Sequence, residues 1–318
     1  ANRERPGSAL ENGLQMFKLS RSNLPVGKKG AASFSSGVRC FGTSSSSSCS
    51  KKCKSEINRR TANVGVGLLM GSLVPALTGQ RGVSASAAKI DVEQLLEGYQ
   101  WPDEFPFRAQ DFARFDEGTD SAFYDSPRFV THIDDNAIKA LTKFYEAELP
   151  KSGQNDVAVL DICSSWISHL PKNYSAGRIA GLGMNEQELK ANDALTEYTV
   201  RDLNVDPTLP YEDNSFDAVL NAVSVDYMTK PLQLFREIER VLKPGGMAIM
   251  SFSNRCFPTK AISVWTQTGD PDHVLIVGSY FHYSGGFESP KAKDISPAPT
   301  FWGGGDPMYV VYGRKPAA

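Results

Sequence analysis

After residue 130 the spacing of apolar residues alternates between two periods. Val157-Ala158-Val159-Leu160-Asp161-Ile162 is a continuous apolar run with a single acid near its end, the pattern of a parallel strand buried on both faces. Arg178 to Leu182, Tyr198 to Val200, Phe216 to Leu220 and Met247 to Ser251 read as further strands. Helical spacing lies between them. Ile138, Leu141, Tyr145 and Leu149 follow Asp134 and Asp135, either of which can cap a helix that Pro150 and Gly153 end. Glu186 to Ala194 predicts a second helix, and Leu232 to Leu242 a third with Leu234, Phe235, Ile238 and Leu242 on one face. Lys260 to Trp265 reads as helical. Asp272 to Tyr283 is also taken as a helix, stopped by Ser284-Gly285-Gly286-Phe287. Pro290 to Ile295 and Met308 to Arg314 complete the set as an antiparallel edge pair. The order β-α-β-α-β predicts an α/β fold over residues 131–318: a doubly wound seven-strand sheet, mostly parallel. Residues 88–130, with Trp101, Phe105, Phe107, Phe112, Phe123 and Tyr124, are too aromatic for a free tail and predict a lead-in packed on that core.

Charge divides the chain at the same place. Residues 1–87 hold 13 Lys+Arg and 3 Asp+Glu, whereas the remainder holds 21 and 33. An acidic body lacks the basic footprint that nucleic-acid binding requires, so no nucleic-acid partner is expected. Of the five cysteines, Cys40, Cys49 and Cys53 lie in the basic head, and only Cys163 and Cys256 in the body. The Cys49/Cys53 pair has no partner pair or nearby His, so no metal site is expected. Free thiols are expected throughout.

The head reads as an address. The chain starts at Ala1, and Met16-Phe17-Lys18-Leu19 resembles a natural start. From Met16 to Arg60 it is rich in Ser and basic residues, with Glu56 the only acid, as in an organellar transit peptide. Arg59-Arg60 then precede a mildly apolar run from Val64 to Leu77, and Ala85-Ser86-Ala87 has the small-x-small form of a cleavage site. That run is too short and glycine-rich to span a membrane. Residues 1–87 are therefore expected to be a disordered transit peptide plus export-type signal, directing the protein to the chloroplast and from there to the thylakoid lumen.

The most specific wording is Leu209-Pro210-Tyr211-Glu212-Asp213-Asn214-Ser215-Phe216-Asp217-Ala218-Val219, followed by Glu237-Ile238-Glu239-Arg240-Val241-Leu242-Lys243-Pro244-Gly245-Gly246. It resembles the class I S-adenosylmethionine-dependent methyltransferases of the type 11 group, over about residues 130–314. The resemblance implies a Rossmann-like fold and S-adenosyl-L-methionine as cofactor. Asp161 matches the family's acid at the end of the first strand, Asp202 the acid that accepts from the adenine amino group with Leu203 beside the ring, and Asn221 the pocket wall after the fourth strand. Two departures stand out. The glycines of the family's first loop fall on Cys163, Ser165 and Ile167, with Ser164 between them. The acid that accepts from the ribose hydroxyls falls on Gly183, next to Met184; Glu186, a turn later, is a candidate substitute. Trp166 either stacks near the cofactor or fills the space of the missing glycines.

Methyl transfer from a sulfonium needs chiefly in-line alignment, and a base only when the acceptor must lose a proton. The catalytic candidates are Asp226, Tyr227 and His273, with His282 and Tyr283 behind them; His132 and His169 read as structural. Cys256 has no base beside it in sequence and does not read as a nucleophile. The expected function is transfer of a methyl group to a small-molecule acceptor. The alternative is a binding or assembly protein that keeps the scaffold without catalysis, because fold does not fix function.

Overall fold

In the computed structural model, residues 91–298 and 305–318 are described. The predicted address, the cleavage site and most of the glycine run Gly303-Gly304-Gly305 lie outside those residues.

Seven strands form one sheet: β1 (Gln154–Ile162), β2 (Ala176–Gly183), β3 (Glu197–Val200), β4 (Phe216–Ala222), β5 (Leu242–Phe252), β6 (Lys291–Asp294) and β7 (Tyr309–Arg314). Their spatial order is β3-β2-β1-β4-β5-β7-β6. The first five are parallel; β7 runs antiparallel to both β5 and β6. This is the doubly wound Rossmann-like sheet that the alternating pattern predicts. Strand order reverses between β1 and β4, which places the ligand crevice at their carboxyl ends.

Four helices matter for the site and the sheet: α1 (Asp135–Glu148), the short α2 (Glu186–Lys190), α3 (Pro231–Val241) and α4 (Asp270–Ser284). Asp134, not Asp135, caps α1 by accepting from the amides of Asn136 and Ala137. The α1 face made by Leu141, Phe144 and Tyr145 packs on Val159, Leu220 and Ile249 of the sheet. Phe281 of α4 lies against Gly313 of β7, and Gly313 pairs with Ala248, one residue out of phase with Ile249. Successive strand residues face opposite ways, so α4 and α1 cover opposite faces. Helix α4 also carries α3, through Phe235 stacked edge-on to Phe281 at 4.9 Å. Two predicted helices are shorter than their patterns: α2 ends at Lys190, and the segment after β5 forms only one turn, Ser263–Thr266.

The Leu209–Val219 and Glu237–Gly246 stretches turn out to be a clamp. Glu237 accepts from the Leu209 amide, and Arg240 donates to the carbonyls of Leu209 and Tyr211 and to Asp213. Asp217 accepts from the Ala158 amide and from Lys243, tying β4 to β1 and β5. Gly245 takes φ +79°, a left-handed turn that glycine adopts without strain. These residues hold the sheet's register at the edge opposite the crevice, so the wording that carries the resemblance belongs to the scaffold.

The lead-in lies on α4 at one end and on the crevice at the other. Trp101 stacks on His282 with centroids 5.2 Å apart, Phe105 and Phe112 lie against Tyr280, and the Tyr283 hydroxyl donates to the Pro102 carbonyl.

Candidate functional site

A cavity of about 280 Å³ opens at the carboxyl ends of β1, β2 and β4. Its floor begins with Asp161, a buried strand-end acid that accepts from the Ser164 hydroxyl at 2.7 Å. Burial pushes this carboxyl up to about 6. The loop then turns sharply at Cys163, whose φ of +54° explains why glycine suits this position. Burial drives the Cys163 thiol up to about 12, so it is an inert wall residue. His169 and Val223, also on the cavity wall, hold positive φ as well. For the β-branched Val223 this is a costly conformation, and backbone strain of this kind concentrates at functional sites.

The second loop explains its own missing acid. The Ser164 amide donates to the Leu182 carbonyl at 2.8 Å, which draws the first loop down onto the end of β2. A Cβ on Gly183 would then stand 2.1 Å from the Ser164 carbonyl oxygen. No side chain fits there, acid or otherwise. Glu186 does not substitute: it is exposed and paired with Lys190 at 2.8 Å. Met184 lines the cavity. So does Glu188, one turn along α2, which is buried and accepts from the Ser165 hydroxyl at 2.5 Å and the Arg128 amide at 2.6 Å.

Asp202 begins the third loop and reaches the cavity wall. One of its oxygens accepts from the amides of Asn204 and Val205, which fixes the carboxylate in an Asx turn. Leu203 beside it is buried and lines the same wall. Asn204 links this loop to the far side, donating to Asp120 and to the Tyr227 carbonyl.

The roof comes from the lead-in. Lys260, with 1% exposure, lies 3.2 Å from both Asp116 and Asp120, and Arg114 donates to both oxygens of Asp120 at 2.7 Å. Burial pushes the Asp120 carboxyl up, yet the hydrogen bonds from Asn204 and Arg114 outweigh it and hold the group below its ordinary value. Arg128 lies over the rings of Phe123 and Tyr124, 4.5 and 5.5 Å from their centroids. The Nε of Arg114 and the Nη1 of Arg128 are buried without a hydrogen-bond partner. Pattern reading missed this roof because its residues follow no motif. The one signal in the sequence was Lys260, a lone cation ahead of the apolar Ala261-Ile262 step.

The catalytic candidates separate. Tyr227 lines the cavity, its hydroxyl accepting from the Phe257 amide at 2.7 Å. Burial raises its pKa, so the hydroxyl keeps its proton. Asp226 is not on the cavity wall; it is enclosed, with Oδ2 unpartnered and its carboxyl pushed up to about 8 by burial. His273 is corrected outright: it is buried in α4, stacked on Trp265 at 3.8 Å, with Nε2 against the Trp265 carbonyl. His282 and Tyr283 belong to the Trp101 contact on the opposite end of α4. Asn221 lies behind the wall, donating to the Ile162 carbonyl, and the wall itself is Ala222, Val223 and Ser224. His132 and His169 do line the cavity. Trp166 and Ile167 line the cavity, and Trp166 is fixed there by donating to the Val130 carbonyl at 3.0 Å. Among the described residues no group of His, Cys, Asp and Glu could hold a metal ion, and no helix is long and apolar enough to cross a membrane.

Comparison with known proteins finds similarity over part of the chain. A methyltransferase-domain profile matches residues 148–250, from the end of α1 to β5. The chain is 34% identical over 97 residues to a demethylmenaquinone methyltransferase of Staphylococcus haemolyticus, covering 28% of this chain and 41% of that protein. It is 32% identical over 66 residues to a malonyl-[acyl-carrier protein] O-methyltransferase of a Marinomonas species, covering 21% and 24%. The chain thus spans less than half the length of these relatives. A solved structure of Haemonchus contortus phosphoethanolamine N-methyltransferase 2 with S-adenosyl-L-methionine aligns at 16% identity and a TM-score of 0.40, over 56% of this chain and 52% of that one.

Proposed function

The chain carries a class I S-adenosylmethionine-dependent methyltransferase domain, and from that premise we propose that it transfers a methyl group from S-adenosyl-L-methionine to a small-molecule acceptor in the chloroplast. The observation that carries the reading is Asp202 on the wall of a cavity at the strand-order switch point. The lining fits the cofactor. Asp202 would accept from the purine amine, Leu203 and Met184 would flank the ring, and the loop Cys163-Ser164-Ser165 would border the amino-acid end. The Nη1 of Arg128, buried without a hydrogen-bond partner, gives the roof hydrogen-bonding capacity that the protein alone does not use.

When bound, the cofactor supplies an electrophilic methyl group on its sulfonium. The protein's part is positioning and exclusion of water. Val223 and Ser224 form the wall after β4, and Tyr227, Tyr124 and Phe257 form an aromatic side on which an acceptor ring or chain can lie. Tyr227 stays protonated and can donate a hydrogen bond to an acceptor oxygen. His132, whose pKa is lowered by partial desolvation, is neutral at pH 7 and is the side chain placed to take a proton where the acceptor must lose one.

Isothermal titration of the full chain with S-adenosylmethionine tests the reading. Binding that Asp202→Ala weakens supports it. Absence of binding up to millimolar cofactor favours a scaffold without catalysis, the reading that the filled space at Gly183 supports. Import into isolated chloroplasts followed by separation of stroma and lumen tests the location.

A further inference from the structure

Three polar groups in or near the cavity lack an obvious role: the aromatic-stacked Arg128, the enclosed Asp226, and the carboxylate of Glu188. Arg128 already has a partner in the Phe123 carbonyl and in the ring faces. Asp226 does not reach the cavity. Glu188 remains, and its surroundings are unusual. It is 8% exposed, yet among the described residues it forms no ion pair; its donors are one amide and one hydroxyl. An ionised carboxylate offers about four acceptor sites. Two donors leave about half of that capacity free for a ligand in the cavity, and hydrogen bonds to a carboxylate are among the stronger ones.

Two observations say what those donors would be. First, the end of β2 cannot bear a side chain, because the Ser164 carbonyl occupies the space where a Cβ at residue 183 would stand. A ligand lying along this strand end therefore meets no acceptor from residue 183 itself. Second, the helix that follows β2 brings a carboxylate to the cavity wall, Glu188, on a helix capped by Asn185, which accepts from the Gln187 and Glu188 amides and donates to the carbonyls of Tyr124 and Asp125. The side chain is fixed from three sides, by α2, by the first loop through Ser165, and by the lead-in through Arg128. A carboxylate pre-oriented in this way is suited to a vicinal diol, whose two hydroxyls present two adjacent donors.

We propose that Glu188 reads the ribose diol of the nucleoside cofactor, replacing the acid that the first loop has displaced from position 183. The inference rests on the cofactor reading above. It makes Glu188 a binding and positioning residue whose effect falls on affinity and which touches no reacting atom. It also explains why Ser165 stands where a glycine is expected: its hydroxyl is half of the cradle that holds the carboxylate.

The test is a cycle of two proteins and two ligands, measured by isothermal titration of the full chain with S-adenosylhomocysteine and with its 2′,3′-dideoxyribose counterpart. Glu188→Gln preserves shape, and its melting temperature checks folding. The expected result is a roughly 10- to 100-fold loss of affinity for S-adenosylhomocysteine in Glu188→Gln. For the dideoxy ligand the two proteins should differ by less than about 3-fold, because the hydroxyls that couple to residue 188 are gone. Glu186→Gln, at the exposed acid two residues earlier, should bind like the wild type. Equal losses for both ligands would assign Glu188 a purely structural role and overturn the proposal. Unchanged affinity in Glu188→Gln would overturn it while leaving the cofactor reading intact. A wild-type chain that binds neither ligand would overturn both.

Discussion

Restoring an acid at position 183 is the substitution that a motif comparison recommends, and the structure predicts that it does harm. Gly183→Ala isolates the effect. Its Cβ would lie 2.1 Å from the Ser164 carbonyl oxygen, well over an ångström inside van der Waals contact, and the obstacle is backbone, which cannot rotate away. Relief requires lifting the first loop off β2 and breaking the 2.8 Å bond from the Ser164 amide to the Leu182 carbonyl. Overpacking of this kind costs about 1–3 kcal/mol, and the lost buried hydrogen bond about 0.5–1.5 kcal/mol. The smaller entropy of the unfolded chain offsets about 0.4–1 kcal/mol. Mid-range values leave a net destabilisation of about 2 kcal/mol. That corresponds to a fall in melting temperature of roughly 4–8 °C for a domain of this size. Gly269→Ala is the control, because nothing lies within 4 Å of its added Cβ; it should stay within about 0.5 kcal/mol of the wild type. Gly183→Asp adds an unpaired charge next to the carbonyl and should be worse than alanine on stability, with cofactor affinity falling. Urea denaturation followed by circular dichroism reads the stabilities. If Gly183→Ala unfolds at the wild-type midpoint, or Gly183→Asp tightens cofactor binding, the account of the displaced acid is wrong.

Other expectations follow from the same geometry. Asp202→Ala removes both the purine acceptor and the Asx turn; cofactor affinity should fall roughly 10- to 100-fold in calorimetry, whereas Asp202→Asn, which keeps an oxygen for the turn, should spare stability and still lose affinity. Lys260→Met leaves Asp116 and Asp120 facing each other beside Arg114, and should cost about 3–5 kcal/mol in urea titration; loss under about 1 kcal/mol would show that the roof is not held by this cluster. Asp226 is expected to make stability fall with pH. Its folded pKa of about 8 lies above its unfolded value, so the folded state binds more protons between roughly pH 4 and 8, and the enclosed carboxyl is progressively penalised as it ionises. Asp226→Asn removes this dependence, so its stability relative to wild type should rise from pH 5 to pH 8. A pH-independent difference would refute the assignment. Asp161, pushed up to about 6, acts in the same direction, whereas His169, lowered to about 4 by burial, stabilises as pH rises to about 6.5; the mutant-minus-wild-type difference separates Asp226 from both.

The scaffold was open to sequence reading because its signals are local. A run such as Val157 to Ile162 reports its own burial, and the acids Asp134 and Asp135 before Ile138 report that a cap is there, though not which of them makes it. The late helix through His273 was legible for the same reason, but the direction of that histidine was not. A residue at the start of a buried helix can face the pocket or the core, and here the Trp265 ring made the core the better partner. Asn221 failed likewise: strand alternation puts one of Asn221 and Ala222 toward each face, and a motif position does not say which.

The amino-acid order by itself determined a doubly wound sheet, its switch point, an acid at 202 and the absence of one at 183, because periodicity and turn chemistry act within a few residues. Only the folded chain decided what the absence at 183 means. There the Ser164 carbonyl, brought from 19 residues away, fills the space of a side chain, and a glutamate five residues further on comes to rest beneath a lead-in that starts before residue 130. Such exclusions depend on which backbone atoms meet across the sheet, and that is fixed by packing over long range.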